Sequence, residues 1–167
     1  YQKSIPSNLL VYGKPGTGKT LVVKKVLKQI QERVDKNTYP IKLAYTNAKN
    51  ESTLYGLLVS LGKQLGLKSK KDSDDDKLFL PDTGLAISEV FNRILYVIDK
   101  NKMNTVFVID EIDYLAELVS KTGKDILYSI TRANERLENG SLSLIGVSND
   151  LTFKQRLDPR VISSLSE

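Results

Sequence analysis

A glycine-rich segment of eight residues constrains the fold of this chain more than any other feature of its sequence. The segment reads Gly13-Lys14-Pro15-Gly16-Thr17-Gly18-Lys19-Thr20, which has the spacing G-x-x-x-x-G-K-[ST]. The apolar run 9–12 precedes it and an amphipathic stretch over residues 21–34 follows it, so we predict a strand, a turn and a helix in that order. In that setting the segment is typical of a P-loop, which wraps the phosphates of a nucleotide.

Each residue type in the P-loop has a physical role in binding phosphate. Glycines let backbone N–H groups point inward, and the N-terminus of the next helix adds the positive end of its dipole. We expect the Lys19 ammonium to reach the β- and γ-phosphates and the Thr20 hydroxyl to bind Mg²⁺. The predicted nucleotide-binding residues are Gly13, Lys14, Pro15, Gly16, Thr17, Gly18, Lys19, Thr20 and Leu21.

Two carboxylates follow a second apolar run over residues 106–109. Such a run predicts a buried strand, and ligands of open α/β sheets bind at the carboxyl ends of the strands. We therefore predict that Asp110 holds Mg²⁺ through water, and that Glu111 is the base or water-orienting group for attack on the γ-phosphate. Asp113 and Tyr114, which follow shortly after, are interpreted as capping or packing residues.

Two further polar residues have two interpretations each. The apolar run 142–147 ends in Ser148-Asn149-Asp150, and the Asn149 amide either contacts the γ-phosphate and attacking water or simply forms a turn. Arg160 either supplies positive charge to a transition state in a neighbouring subunit or is a surface arginine after a proline turn. The residues alone leave both alternatives open.

Strand-like and helix-like segments alternate along the whole chain. The strand-like runs are 9–12, 41–45, 106–109 and 142–147, and the helix-like segments are 21–34, 51–65, 87–98 and 124–137. Because these strands are apolar rather than alternating, we predict a mostly parallel sheet covered on both faces, the α/β three-layer sandwich of a P-loop NTPase, in one domain over residues 1–167. The charged low-complexity stretch 68–77 is predicted to be an exposed, mobile loop.

Composition excludes several kinds of site. The chain has no cysteine and no histidine, so disulfides, zinc–thiolate sites and histidine-based catalysis are excluded. No apolar run reaches the length of a membrane span, and we expect no membrane partner. The net charge is +5, and residues 1–71 carry 14 basic against 3 acidic side chains. That basic excess is expected of a domain with a nucleic-acid or phosphate partner. It is equally expected if surface lysines only keep the domain soluble.

Four motifs occur together and in a fixed order: the P-loop at 13–20, Val-Ile-Asp-Glu-Ile-Asp at 108–113, Ile-Gly-Val-Ser-Asn-Asp at 145–150, and Leu-Asp-Pro-Arg-Val-Ile-Ser-Ser-Leu at 157–165. In this combination essentially the whole chain resembles the AAA+ ATPase domain of archaeal origin-recognition/Cdc-type DNA replication initiators. The first two motifs are shared by AAA+ proteins broadly, and the last two are more specific to initiators. The resemblance implies a domain that binds ATP and ADP with Mg²⁺ and hydrolyses ATP slowly.

The resemblance also implies partners and residue roles. The expected partners are origin duplex DNA, other initiator subunits and the replicative helicase, in the cytoplasm beside the nucleoid. Asn149 becomes the sensor of the γ-phosphate, and Arg160 lies in the family's conserved box near the subunit interface. Residues 80–89 lie where initiators carry an extra helical element that touches DNA, which makes Thr83 and Gly84 candidate DNA contacts.

Several parts of an initiator are not contained in these 167 residues. Because residue 1 is Tyr rather than Met, we interpret the chain as part of a longer protein. Initiators continue into a last core strand, a helical lid with a second sensing arginine, and a winged-helix DNA-binding domain. For the 167 residues alone we expect the strand 9–12 to lack its outer neighbour, the adenine pocket to be open, nucleotide affinity to be weak and turnover to be poor.

Two other functions remain alternatives. One is an AAA+ clamp-loader or protein-remodelling ATPase, for which fast turnover stimulated by a protein would be the signature. The other is a small-molecule P-loop kinase, which needs an arginine-rich lid segment that the sequence does not show. The pair Asp110-Glu111 also suits attack by water better than attack by a bound acceptor.

Overall fold

A four-stranded parallel sheet forms the centre of the protein. The computed structural model describes residues 7–35, 41–70, 75–122 and 126–166. The strands lie in the order β1-β4-β3-β2 and comprise β1 (Leu9–Tyr12), β2 (Ile41–Asn47), β3 (Asn104–Asp110) and β4 (Ser141–Ser148). Since all neighbouring pairs are parallel, the carboxyl ends of the four strands meet at one edge of the sheet.

Helices connect the strands and cover the sheet. They are α1 (Lys19–Asp35), α2 (Leu54–Gln64), α3 (Ile87–Lys100), α4 (Asp113–Thr122), α5 (Ile126–Thr131) and α6 (Pro159–Ser166), with 3₁₀ turns at Asp76–Leu78, Ala133–Glu135 and Phe153–Arg156. The consecutive β3 residues Phe107, Val108 and Ile109 are all fully buried, although their side chains point alternately to opposite faces. Both faces of the sheet are therefore covered, and the predicted α/β three-layer fold with a parallel sheet is confirmed.

The contact between α2 and α3 supplies a large part of the apolar core. Helix α3 buries one face, which comprises Val90, Phe91, Ile94, Leu95, Val97 and Ile98. Helix α2 begins after Thr53, whose hydroxyl accepts a hydrogen bond from the Gly56 N–H at 3.0 Å. Each fully buried Leu or Ile contributes about 1.5–3 kcal/mol, so this contact stabilises the helical layer in which α2 packs on β2 and α3 packs on β4. No described helix is long and apolar enough to cross a membrane.

The two edges of the sheet differ. At β2, the side-chain amide of Gln64 pairs with the backbone of Tyr45: the Tyr45 N–H donates to Oε1 at 2.9 Å and Nε2 donates to the Tyr45 carbonyl at 2.8 Å. At β1, the described part of the chain provides no strand on the outer side, and Leu9 and Tyr12 are about half exposed. Among the described residues β1 is therefore an edge strand.

The predicted helix 124–137 is wrong in its second half. Residues 124 and 125 lie outside the described residues, and helix α5 ends at Thr131 before the 3₁₀ turn Ala133–Glu135. The Asn134 side chain explains this end, because it pairs with the backbone of Leu142 at the start of β4. The Leu142 N–H donates to Asn134 Oδ1 at 2.9 Å, and Asn134 Nδ2 donates to the Leu142 carbonyl at 2.7 Å.

The predicted mobile loop 68–77 is wrong at its C-terminal end. Residues 71–74 lie outside the described residues, but Asp75 is anchored to helix α3. Its Oδ2 accepts hydrogen bonds from the Tyr96 hydroxyl at 2.8 Å and from the Lys100 ammonium at 2.6 Å. Its other oxygen accepts from the Lys77 N–H at 3.1 Å and so begins a 3₁₀ turn.

Candidate nucleotide-binding site

The P-loop joins the end of β1 to the start of α1. Gly16 and Gly18 have φ values of 77° and 83°, the left-handed region that only glycine adopts without strain. The Gly13 N–H donates to the Ser148 carbonyl at 3.3 Å, which ties the start of the loop to the end of β4. The glycine spacing therefore produces the tight turn that the sequence predicted, at the carboxyl edge of the sheet.

The ammonium group of Lys19 lies inside this turn. Its Nζ donates to the carbonyl oxygens of Gly13 at 2.9 Å and Lys14 at 2.8 Å, and to the Thr17 hydroxyl at 3.3 Å. A phosphate placed in the loop would compete for the same N–H groups and offer them a negative charge. The lysine is thus held within the loop by neutral acceptors that an anion can replace.

Asp110 is the best-anchored carboxylate of the site. The residue is only 3% exposed, and three donors from different parts of the chain satisfy its carboxylate. The Thr20 hydroxyl donates to Oδ1 at 3.1 Å, the Glu111 N–H donates to Oδ1 at 3.0 Å, and the Tyr45 hydroxyl donates to Oδ2 at 3.0 Å. A buried carboxylate is tolerated only when it is hydrogen-bonded in this way.

Tyr45 stays a neutral donor toward Asp110. Burial is the largest cause that raises the pKa of its phenol above the ordinary value, followed by the hydrogen bond to Asp110 and the negative charges of Asp110 and Glu111. Each of these disfavours a phenolate beside the carboxylate. The Tyr45 hydroxyl therefore keeps its proton throughout the pH range in which proteins work.

The oxygen donors of this site fit Mg²⁺. The Asp110 carboxylate and the Thr20 hydroxyl are hard ligands within 3.1 Å of each other. In the described parts of the chain no group of three or more acidic side chains could hold a metal ion by itself. A site with one carboxylate and one hydroxyl suits an ion that takes its remaining ligands from phosphate oxygens and water.

Glu111 follows Asp110 in an unusual backbone conformation. Its φ is 50°, the left-handed region, which is uncommon for a residue with a long side chain. The turn takes Glu111 out of the strand register while Asp110 still pairs with Asn47 of β2. Such a conformation costs about 1–2 kcal/mol, and strained residues of this kind cluster at functional sites.

Asn149 lies at the same edge of the sheet, directly after β4. Its backbone N–H is 3.4 Å from Asp113 Oδ1, which also accepts from the Ser148 hydroxyl at 2.9 Å. Asp113 is the first residue of α4, so it fastens this helix to the end of β4. The structure thus brings together Lys19, Thr20, Asp110, Glu111 and Asn149 at the carboxyl ends of β1, β3 and β4.

The other predicted residues lie elsewhere on the surface. Arg160 belongs to α6, where its guanidinium makes two hydrogen bonds to Asp158, at 3.0 and 2.7 Å, and lies 4.5 Å from the centre of the Tyr128 ring. Its side chain is 61% exposed. Thr83 and Gly84 are exposed residues in the bend before α3, where Gly84 has a φ of 100°.

Sequence reasoning missed Tyr45 and Gln64. The signal available was a single aromatic hydroxyl at the end of the strand candidate 41–45, and nothing in the sequence links it to Asp110. The contact arises because β2 lies next to β3, with Tyr45 opposite Val108, two residues before the carboxylate.

Comparisons with known proteins agree on one kind of domain. Residues 3–153 match the model of a family described as an AAA domain. The chain is 68% identical over 166 residues to the ORC1-type DNA replication protein of Cenarchaeum symbiosum (strain A), covering 99% of this chain and 38% of that protein. It is 40% identical over 162 residues to the ORC1-type DNA replication protein of Pyrococcus abyssi, covering 97% of this chain and 36% of that protein.

A solved structure supports the same grouping. The Aeropyrum pernix ORC1 protein in complex with DNA matches with a TM-score of 0.79 and 36% sequence identity, over 96% of this chain and 37% of that chain. The chain therefore spans less than two fifths of the length of these relatives.

Proposed function

The chain belongs to the AAA domain family, and on that premise we propose that it is the ATP-binding and ATP-hydrolysing domain of an archaeal ORC1-type DNA replication initiator. ATP and ADP are the proposed ligands, with Mg²⁺ as the metal ion. The relatives named as DNA replication proteins, and the ORC1 structure solved with DNA, support this choice over an unrelated P-loop protein.

One observation carries the nucleotide assignment: the Thr20 hydroxyl lies 3.1 Å from Asp110 Oδ1. These residues are 90 positions apart, and they place the end of the P-loop against the end of β3. A hydroxyl and a buried carboxylate at the mouth of a phosphate-binding loop are the ligands that Mg²⁺ takes from P-loop proteins. When bound, Mg²⁺ supplies positive charge that offsets the charge of the β- and γ-phosphates.

The residues of this chain have distinct proposed roles. Lys19 exchanges its carbonyl partners for phosphate oxygens, and the backbone N–H groups of the P-loop bind the phosphates. Glu111 orients the attacking water, and its carboxylate accepts a proton from that water. Asn149 contacts the γ-phosphate or the water from the end of β4, and Arg160 supplies charge to the nucleotide of a neighbouring subunit.

The nucleotide is proposed to act as a switch. ATP binding holds a conformation that binds origin duplex DNA, and slow hydrolysis releases it. The proposed partners of the whole protein are other initiator subunits and the replicative helicase, and the proposed location is the cytoplasm beside the nucleoid. Thr83 and Gly84 are proposed to contact DNA.

The test is a comparison of Glu111→Gln with the parent in the full-length protein. We expect the variant to bind ATP and Mg²⁺ normally and to lose at least 100-fold in single-turnover hydrolysis, a size typical of a general base. Glu117→Gln is the matched control, because it makes the same change at an exposed position of α4. Both proteins should be measured with and without duplex DNA.

Each outcome decides between stated functions. Hydrolysis that survives in Glu111→Gln would remove Glu111 from its proposed role. If DNA changes neither ATP binding nor hydrolysis while a protein partner stimulates fast turnover, the clamp-loader or protein-remodelling alternative replaces the initiator proposal. Transfer of phosphate to a small-molecule acceptor instead of water would favour a kinase.

A further inference from the structure

The Asp110 carboxylate is held on both of its oxygens, and the two sides have different donors. Oδ1 faces the nucleotide site, where it accepts from the Thr20 hydroxyl and the Glu111 N–H. Oδ2 faces β2, where it accepts only the Tyr45 hydroxyl among the hydrogen bonds of the described residues. The terminal torsion of an aspartate is broad and nearly two-fold, so the bond to Oδ2 decides how firmly Oδ1 is aimed.

Tyr45 is itself fixed from two further sides. Its backbone N–H and carbonyl pair with the Gln64 amide at 2.9 and 2.8 Å, which anchors this point of β2 to α2. The Lys24 ammonium lies 5.2 Å from the centre of its ring. Lys24 follows Thr20 by four residues on α1, so the same face of that helix contacts both Tyr45 and Asp110.

We propose that Tyr45 is a positioning residue for Mg²⁺, because its hydroxyl holds the Asp110 carboxylate with Oδ1 turned toward Thr20 and the bound nucleotide. This inference rests on the proposed Mg²⁺-dependent binding of ATP. Without the hydroxyl, Asp110 loses the Tyr45 bond on Oδ2 and gains freedom to rotate away from the metal. Loss of the Tyr45 hydroxyl is therefore expected to weaken Mg²⁺ binding and to leave phosphate binding by the P-loop unchanged.

Tyr45→Phe in the full-length protein tests this role. The readout is binding of a fluorescent ATP analogue, titrated with Mg²⁺ and repeated in EDTA. We expect the Mg²⁺ concentration at half-saturation to rise roughly tenfold, the size expected for one lost hydrogen bond to a charged group. The affinity for the nucleotide in EDTA should stay within about twofold of the parent, since this hydroxyl does not touch the P-loop.

Tyr96→Phe is the matched control. It also removes a tyrosine hydroxyl that donates to an aspartate, Asp75 Oδ2 at 2.8 Å, but on helix α3 outside the nucleotide site. Its Mg²⁺ half-saturation should equal that of the parent. A rise as large as that of Tyr45→Phe would show that any lost tyrosine–aspartate bond loosens the site, and would overturn the proposal.

Two further variants separate positioning from general stability. In an Asp110→Asn background, Tyr45→Phe should have little further effect on Mg²⁺ half-saturation, since interacting residues are non-additive. Gln64→Ala keeps the hydroxyl but frees the backbone of Tyr45, so it should raise the half-saturation by a smaller factor. Full additivity with Asp110→Asn would overturn the proposal.

The remaining outcomes distinguish this inference from the function on which it rests. A parent that shows no Mg²⁺-dependent nucleotide binding would refute the proposed function and the role of Tyr45 together. A parent that does show it, with unchanged half-saturation in both Tyr45→Phe and Gln64→Ala, would refute the role of Tyr45 alone. An equal loss of affinity with Mg²⁺ and in EDTA would mean a merely structural role and would also overturn it.

Discussion

Asp99 provides a sharp test of how the fold is held together away from the nucleotide. Its Oδ1 accepts three backbone N–H groups from the turn before β4: those of Glu138 at 3.0 Å, Asn139 at 2.6 Å and Gly140 at 3.0 Å. A hydrogen bond to a charged group contributes about 1.5–3 kcal/mol. If the carboxylate is removed, water can replace the hydrogen bonds that the exposed residues Glu138 and Asn139 lose. Gly140 is buried, so water replaces its lost hydrogen bond less easily.

We therefore expect Asp99→Ala to lower the free energy of unfolding by roughly 2–4 kcal/mol at pH 7, measured by urea denaturation. For a domain of this size that corresponds to a fall in Tm of roughly 5–15 °C. Asp99→Asn keeps an Oδ1 acceptor without the charge, so it should cost about half as much. A loss below about 0.5 kcal/mol in Asp99→Ala, the range of ordinary surface substitutions, would refute the reasoning.

The pH dependence gives a second check on the same residue. The Asn139 N–H, followed by that of Gly140, lowers the pKa of the Asp99 carboxyl below its ordinary value. A lowered folded-state pKa gives stability that is present above the unfolded pKa of about 4 and is lost as the pH falls through the folded pKa. The difference in free energy of unfolding between the parent and Asp99→Ala should thus have its full size at pH 7 and become smaller below about pH 4. A difference in free energy of unfolding that is the same at pH 3 and pH 7 would contradict the conclusion that the Asp99 charge contributes to stability.

Two other predictions concern the core and the metal. In Gly62→Ala the new Cβ would lie 2.7 Å from Leu80 Cδ2 and 3.0 Å from Leu67 Cδ1, both on buried side chains. Urea denaturation should therefore show a free energy of unfolding that is lower by about 1–3 kcal/mol. A variant as stable as the parent, or more stable, would contradict this prediction. ATP at about 100 times its Kd should stabilise the full-length protein by about 2.7 kcal/mol in Mg²⁺. EDTA should remove most of the resulting increase in Tm, and a shift that EDTA leaves intact would argue against metal-assisted binding.

The candidate site could be located from the sequence where its residues lie in contiguous motifs. The P-loop and the pair Asp110-Glu111 could be found because glycine spacing and an apolar run before two acids are local patterns. Strand positions were also predictable, since buried parallel strands form nearly continuous apolar runs. Strand β1 has the predicted bounds, whereas β2, β3 and β4 are longer than predicted. For example, β2 continues to Asn47 because Thr46 and Asn47 pair with the last two residues of β3.

The missed features depend on contacts between distant residues. Helices α4 and α6 are short and directly follow functional motifs, and the sequence analysis predicted no helix at either place. The early end of α5 depends on Asn134 pairing with Leu142, and the anchored end of the charged stretch depends on Asp75 meeting α3. The tie between Tyr45 and Asp110 exists only once the order of the strands is known.

The left-handed backbone at Glu111 sets two properties against each other at this position, namely the stability of the fold and the presence of a carboxylate. Glycine or asparagine would relax the backbone there and raise stability, but either would remove the carboxylate. A β-branched residue would lose the carboxylate and increase the strain as well. On the proposed role of Glu111, substitutions there that remove the carboxylate therefore yield two groups of inactive protein, one better folded than the parent and one worse. A screen for stability alone would drift toward the first group and lose catalysis without any sign of damage to the fold.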